Sequence, residues 1–230
     1  MKIIELREQQ KKEHQYKLTE LELMSWRSKM NPHFIFNSLN AMQSLFEDHD
    51  FEVGNKYLAN FSEILRTTIE SSGNFFTSIK SEIEYQTNYL ELEKVKHEGA
   101  LNYNIQADPD LMHYLIPSMV LQPVIENCFK HGIRDGQQGE INILFTKQPE
   151  TFTCTITDNG PGITGPKKNS SQGLLLVFEK INLIEKISSQ RIRFSYENIL
   201  DQNGRACGLK SIFVFTYITD DKHYVERIDH

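Results

Sequence analysis

The apolar residues of this 230-residue chain change their spacing near Gly73, and this change restricts the fold more than any other feature. Before Gly73 they recur at helical spacing. Beyond Gly99 they alternate with polar residues in short segments that are separated by helical stretches. The sequence therefore predicts an α+β protein, in which a helical hairpin precedes a two-layer α/β sandwich with an antiparallel or mixed sheet on one side and helices on the other.

Two helices are predicted in the first part of the chain. The first occupies about the first fifty residues, and Pro32 removes a backbone donor there, so we expect a kink near Asn31. Asp48-His49-Asp50 marks a turn, and the second helix runs from about Phe51 to Ser72.

Each helix of this hairpin has an apolar stripe that the other helix alone cannot bury, which predicts a dimeric four-helix bundle. A plain coiled-coil spacer is the alternative, but it does not account for the cluster Asn31-Pro32-His33-Phe34. The stripe positions are Met30, Phe34, Ala41 and Leu45 on the first helix, and Tyr57, Phe61, Ile64, Leu65 and Ile69 on the second.

Further elements follow from local spacing and from breaking residues. A third helix is predicted over Ser78 to His97, with Ser81 as its cap and Glu84 completing a capping box. Two more helices are predicted over Leu115 to Lys130 and over Gly173 to Ile187. The predicted strands are Leu101 to Gln106, Glu140 to Phe145, Thr151 to Thr157, Arg191 to Tyr196 and Ser211 to Ile218.

Composition excludes several classes of protein. The net charge of -6 argues against nucleic acid as the main partner, because phosphate backbones select basic surfaces. No apolar run approaches the roughly 20 residues that span a bilayer, and the charged N-terminus is unlike a signal peptide, so we expect a cytoplasmic chain. Cys128, Cys154 and Cys207 are widely spaced, which predicts reduced thiols rather than disulfides or a zinc site.

Three polar segments interrupt these apolar patterns. In Asn31–Asn40, His33 shares a polar helical stripe with Asn37, Asn40 and Ser44. The segment Leu121–Gly132 contains Glu126, Asn127, Lys130 and His131, and Asp158-Asn159-Gly160-Pro161-Gly162 follows a predicted strand. Together they indicate a phosphorylatable imidazole upstream of a nucleotide site.

Asp158 continues the apolar face of its strand, where a carboxylate is costly unless it binds something. A carboxylate can accept the exocyclic amine of adenine, and the glycines after it allow backbone to approach a ligand. The alternative is a hairpin turn, since Asp, Asn and Gly are turn residues.

The group around Asn127 has the residue types of a metal and phosphate site. An amide oxygen suits Mg²⁺, and Lys130 can neutralise phosphate charge. The alternative is a solvated helix face on which Glu126 pairs with Lys130 and Asn127 lies beside His131, both at i, i+4 spacing.

In their order and in the residues they contain, these segments resemble those of the LytS-like sensor histidine kinases. The resemblance extends from about Leu18 to about Tyr217. The resemblance implies a GHKL-type ATP-binding fold, shared with type II topoisomerases, Hsp90 and MutL, and the use of ATP with Mg²⁺. It implies that Asn127 ligates Mg²⁺, that Asp158 reads adenine and that His33 accepts the phosphoryl group. It places Lys130, His131, Gly160, Gly162, Gly173 and Leu174 in the cofactor-binding set.

The resemblance also implies partners and a division of the chain. The partners are a second copy of the chain and a response regulator whose aspartate takes the phosphoryl group. Relatives are often anchored in a membrane by segments upstream. The predicted division is 1–75 for dimerisation and phosphotransfer, 76–98 for a connecting helix, 99–220 for ATP binding and 221–230 for a tail.

The general base of the reaction is not identified by the motif, because Phe34 stands where many histidine kinases have an acid. Glu126 is a candidate base by side-chain type alone. We hypothesise that Asn37 orients a water toward a regulator's phospho-aspartate, and the alternative is that it caps or packs within the bundle.

Two departures from the family pattern keep other functions open. Ser171-Gln172-Gly173-Leu174 replaces Gly-x-Gly-Leu, with Leu176 in the usual Asn place, and Gly208-Leu209 replaces a Gly-Thr pair. The segment from Thr164 to Gln172 is expected to be a short polar lid. The alternatives are a degenerate ATP-binding scaffold without kinase activity and an ATP-driven clamp or chaperone of the same fold.

Overall fold

The computed structural model describes residues 32–70, 74–97, 100–129, 138–163 and 172–218. Helix α1 (Pro32–Glu47) and helix α2 (Phe51–Glu70) form a hairpin. The turn between them lies at the predicted Asp48-His49-Asp50, where His49 has a φ of 61°. The predicted kink near Asn31 and the helix before it lie outside the described residues.

One face of the hairpin packs into the protein core. Tyr57, Phe61 and Ile64 are buried, and Phe34, Ala41, Leu45 and Leu65 are half-buried against the same core. Ile69, the remaining described member of the predicted stripes, is 69% exposed.

Helix α3 (Ile79–Lys96) follows the short strand β1 (Phe76–Ser78). The predicted cap at Ser81 is wrong. The cap is Ser78, whose hydroxyl accepts a hydrogen bond from the Ser81 backbone N–H at 3.1 Å. Ser78 is extended with a ψ of 151°, as a capping residue requires, because the strand continues up to it. Leu90 and Leu92 of α3 are buried in the core.

The main sheet is mixed, which is one of the two arrangements that the sequence left open. Its strands are β2 (Leu101–Ala107), β4 (Gly139–Lys147), β5 (Thr151–Asp158), β6 (Ile192–Leu200) and β7 (Ala206–Thr216). They lie in the order β2-β4-β5-β7-β6, in which β2 and β4 are parallel and all other neighbours antiparallel. Alternate residues are buried along β4 and β5, so one face of the sheet carries the core and the fold has two layers.

The predicted helix over Leu115 to Lys130 is wrong in its first half. Leu115–Pro117 forms β3, which pairs antiparallel with β1 so that Phe76 faces Pro117. The α-helix that follows, α4, covers Gln122–Asn127, and Cys128 and Phe129 continue it as a π-helical turn. Pairing with a distant strand overrides the helical spacing of this apolar run, and a turn then separates the strand from the helix.

Helix α5 (Gln172–Ile187) begins and ends close to the predicted limits, Gly173 and Ile187. A short 3-10 turn covers Pro109–Leu111. Within the described ranges, no helix combines the length and apolar content needed to cross a membrane.

Candidate nucleotide-binding site

Asp158 lies at the end of β5, beside the neighbouring strand β7. Its Oδ1 accepts two backbone hydrogen bonds, from Gly160 N at 2.9 Å and from Leu209 N at 3.3 Å. Burial raises the pKa of the Asp158 carboxyl, and the backbone hydrogen bonds from Gly160 and Leu209 oppose that rise. A carboxylate that burial holds partly out of water is suited to binding a ligand's amine.

The loop after Asp158 is fixed by side chains on other strands. Gly162 has a φ of 66°, and a Cβ there would lie 2.7 Å from Asn198 Oδ1. Asn198 binds both backbone atoms of Ile163, accepting from its N at 2.8 Å and donating to its O at 3.0 Å. Asn159 turns away to the start of β4, where its Oδ1 accepts from Glu140 N at 2.8 Å.

Gly208 allows β7 to approach the end of β5 closely. A Cβ at this position would lie 2.2 Å from the Asp158 carbonyl oxygen. The sequence reasoning missed Asn198 and the packing role of Gly208. A glycine inside an alternating strand is a signal for such an approach, whereas no local signal identifies Asn198.

Asn127 is the last residue of α4 and is 9% exposed. Its Nδ2 has no hydrogen-bond partner within the part of the chain that the structure describes. A Cβ on Gly173 would lie 2.6 Å from both the Oδ1 and the Nδ2 of Asn127, so any side chain at this point of α5 would displace the amide. An amide that lacks a partner in such a position fits a ligand site.

The ends of α4 and β5 meet through Cys128. This residue directly follows Asn127, and its buried thiol donates a hydrogen bond to the Val124 carbonyl oxygen at 3.3 Å. Burial and the charge of the nearby Asp158 carboxylate raise the pKa of this thiol. The structure therefore brings the predicted amide and the predicted acid to one place.

The other predicted residues are less informative. Glu126 is half-buried and accepts a hydrogen bond from Gln122 Nε2 at 3.3 Å. Leu174 is buried in the core, so only its backbone could contact a ligand. Lys130, His131 and the lid over 164–171 lie outside the described residues, which leaves their roles as predictions.

The backbone of His33 lies in the first turn of α1, but its side chain is not among those described. Asn37, Asn40 and Ser44 are exposed along the same helix, as expected for a polar stripe. The adjacent Phe34 contacts Tyr89 of α3, with ring centres 5.5 Å apart.

Tyr89 in turn contacts Phe129, which lies two residues after Asn127, with ring centres 5.9 Å apart. Helix α1 is thus packed toward the site. Cys128, Cys154 and Cys207 are free thiols, and no cluster of metal-ligating side chains occurs among the described residues.

Comparison of the sequence with known proteins finds similarity to histidine kinases. The family model described as histidine kinase matches residues 21–101. The sensor protein LytS of Staphylococcus haemolyticus is 30% identical over 151 residues, which are 65% of this chain and 26% of that protein. The sensor histidine kinase BtsS of Escherichia coli K12 is 29% identical over 180 residues, which are 78% of this chain and 30% of that protein.

Among solved structures, the histidine kinase domain of the blue-light activated kinase EL346 from Erythrobacter litoralis has a TM-score of 0.45 and 12% identity. That match covers 86% of this chain and 94% of the domain. The chain spans less than a third of the length of the curated relatives described above. By the family match and these relatives, the chain is similar to the LytS-like sensor histidine kinases.

Proposed function

We propose that this chain is the catalytic core of a two-component sensor histidine kinase, which phosphorylates His33 from ATP and passes the phosphoryl group to an aspartate of a response regulator. The observation that carries the proposal is that the end of α4, with Asn127 and Cys128, lies close enough to the end of β5 for the Asp158 charge to act on the Cys128 thiol. The names and family of the relatives support the same activity.

In this proposal, Asp158 is the residue that recognises adenine. Its Oδ1 is already bound to two backbone N–H groups, which fix the plane of the carboxylate. The carboxylate can then accept a hydrogen bond from the exocyclic amine of adenine. Gly160 and Gly162 lie in the same loop, where Gly160 lets backbone approach a ligand and Gly162 lets the loop pack tightly against Asn198.

Asn127 fits a Mg²⁺ ligand, because its amide is buried, lacks a partner for Nδ2 and can offer its oxygen by rotation. Bound there, Mg²⁺ would supply positive charge against the phosphate oxygens of ATP. We assign Lys130 and His131 to the phosphate side of the site from their sequence positions.

The chemical step is a phosphoryl transfer. The lone pair of the neutral His33 imidazole attacks the γ-phosphorus, a P–N bond forms, and the bond to the bridging oxygen breaks as ADP leaves. The proton on the other ring nitrogen can pass to a base, for which Glu126 is the candidate. In the second step, an aspartate oxygen of the regulator attacks the same phosphorus and the P–N bond breaks.

The helical hairpin supports dimerisation. Phe36 is 66% exposed on α1, and Leu39, Leu58 and Ile69 are exposed large apolar residues of the same hairpin. A second copy would cover them in a four-helix bundle. Phe36→Glu should therefore shift the full chain from dimer to monomer in sedimentation, whereas Leu144→Glu, an exposed apolar position on the sheet, should not.

The activity itself is tested with γ-labelled ATP and Mg²⁺. We expect the full chain to acquire acid-labile, base-stable label, as a phosphohistidine does. Label that is stable in acid, or ATP binding without labelling, would contradict the kinase proposal.

A further inference from the structure

Two buried charged side chains hold one peptide group in the turn between β3 and α4. Lys180 of α5 donates from Nζ to the Ser118 carbonyl oxygen at 2.6 Å. Glu82 of α3 accepts at Oε2 from the Met119 backbone N–H at 3.4 Å. Lys180 is 4% exposed and Glu82 is 2% exposed. The Ser118 carbonyl and the Met119 N–H belong to the same peptide bond, so its two polar atoms face opposite charges.

The conformation at this peptide group is strained, so its surroundings must maintain it. Met119 has a φ of 58°, a left-handed conformation that a residue with a side chain keeps only where its surroundings impose it. Rotation of the peptide plane would relieve that strain. It would also turn the N–H toward the Lys180 ammonium and the carbonyl toward the Glu82 carboxylate, and both contacts would be repulsive.

The peptide group lies at the start of the segment that carries Asn127. Helix α4 begins at Gln122, a few residues after Met119, and ends at Asn127. Helix α5 contacts both ends of this segment, because Gly173 adjoins Asn127 while Lys180 binds Ser118 about two helical turns further on. The orientation of one peptide group therefore affects where the Asn127 amide lies.

We propose that Lys180 and Glu82 are positioning residues, which fix the orientation of the Ser118–Met119 peptide group and thereby place Asn127 for Mg-ATP. The inference rests on the proposed nucleotide site. It assigns Lys180 a role beyond that of a counter-charge for Glu82.

The test separates these two roles. Lys180→Met alone leaves the buried Glu82 carboxylate without its cation and can prevent folding. The informative variant is therefore Lys180→Met with Glu82→Gln, which removes both charges and keeps an amide oxygen for the Met119 N–H. The reference is the parent, because Glu82→Gln alone would in turn leave the buried Lys180 ammonium without its counter-charge. The control is Lys186→Met, an exposed position on the same helix.

We expect the double variant to unfold at no lower urea concentration than the parent, because both charges of the buried pair are removed together. It should nevertheless bind Mg-ATP about tenfold more weakly than the parent, and the Val124 and Ile125 amides of α4 should exchange hydrogen about tenfold faster. Equal affinity and equal exchange in the double variant and in the parent would overturn the proposal. If the parent binds no Mg-ATP, the proposed function fails, and the exchange rates alone then decide the positioning role.

Discussion

Asp158→Asn tests the adenine-recognition role directly, because the structure defines how the new side chain would sit. The two backbone N–H groups of Gly160 and Leu209 both point at Oδ1 and require an acceptor there. The asparagine oxygen must therefore take that place. Its NH₂ group then replaces the second carboxylate oxygen and meets the adenine amine donor to donor.

The expected loss is that of a hydrogen bond to a charged group, about 1.5–3 kcal/mol. This corresponds to about a ten- to a hundredfold weaker binding of Mg-ATP. The variant should still fold. Burial raises the pKa of Asp158, so its ionised form costs free energy in the folded chain, and any stability it contributes is lost as pH rises through that pKa. At neutral pH the neutral asparagine should unfold at no lower urea concentration than the parent.

Calorimetric titration with Mg-ATP provides the measurement, and urea unfolding monitors the fold. Asp108→Asn is the matched control, since Asp108 accepts a backbone hydrogen bond from Lys147 N at 2.6 Å at the opposite end of β4. It should bind Mg-ATP as the parent does. Unchanged affinity in Asp158→Asn would refute the reasoning and leave Asp158 as a turn residue.

Three further predictions follow. Gly173→Ala should weaken Mg-ATP binding about tenfold or more in calorimetry, because its Cβ would displace the Asn127 amide, whereas Leu175→Ala at an exposed position of α5 should have no effect. Mg-ATP affinity should fall as pH is lowered, starting above the pH at which an ordinary aspartate protonates, since burial raises the Asp158 pKa, and the same titration of Asp158→Asn should lack this step. Asn37→Ala should keep autophosphorylation but slow the loss of phosphate from the cognate regulator about tenfold, or about 1.4 kcal/mol of barrier, and a parallel fall of both activities would make Asn37 structural.

Local patterns in the sequence were sufficient for much of the fold. The alternation of Phe152, Cys154 and Ile156 predicted β5 and its buried face, and all three are buried. The turn at Asp48-His49-Asp50 and the limits of α5 were also found, because turn residues and helical spacing act within a few positions.

What the sequence could not show depends on distant contacts. Leu115–Pro117 lies in an apolar run that suits a helix, and only its pairing with β1, nearly forty residues earlier, makes it a strand. In the candidate site, too, local sequence predicted some residues, and contacts between distant segments determine the rest. Asp158 and Asn127 were predicted from their motifs, but the clamp of Asn198 on Ile163 is visible only in three dimensions.

The most direct test of the central claim is the identification of the phosphorylated residue. The full chain is incubated with γ-labelled ATP and Mg²⁺, and the label is mapped in the parent, in His33→Gln and in His49→Gln, whose histidine lies in the turn after α1. The account predicts acid-labile label on His33 in the parent and in His49→Gln, and none in His33→Gln. Equal labelling of the parent and His33→Gln would contradict it.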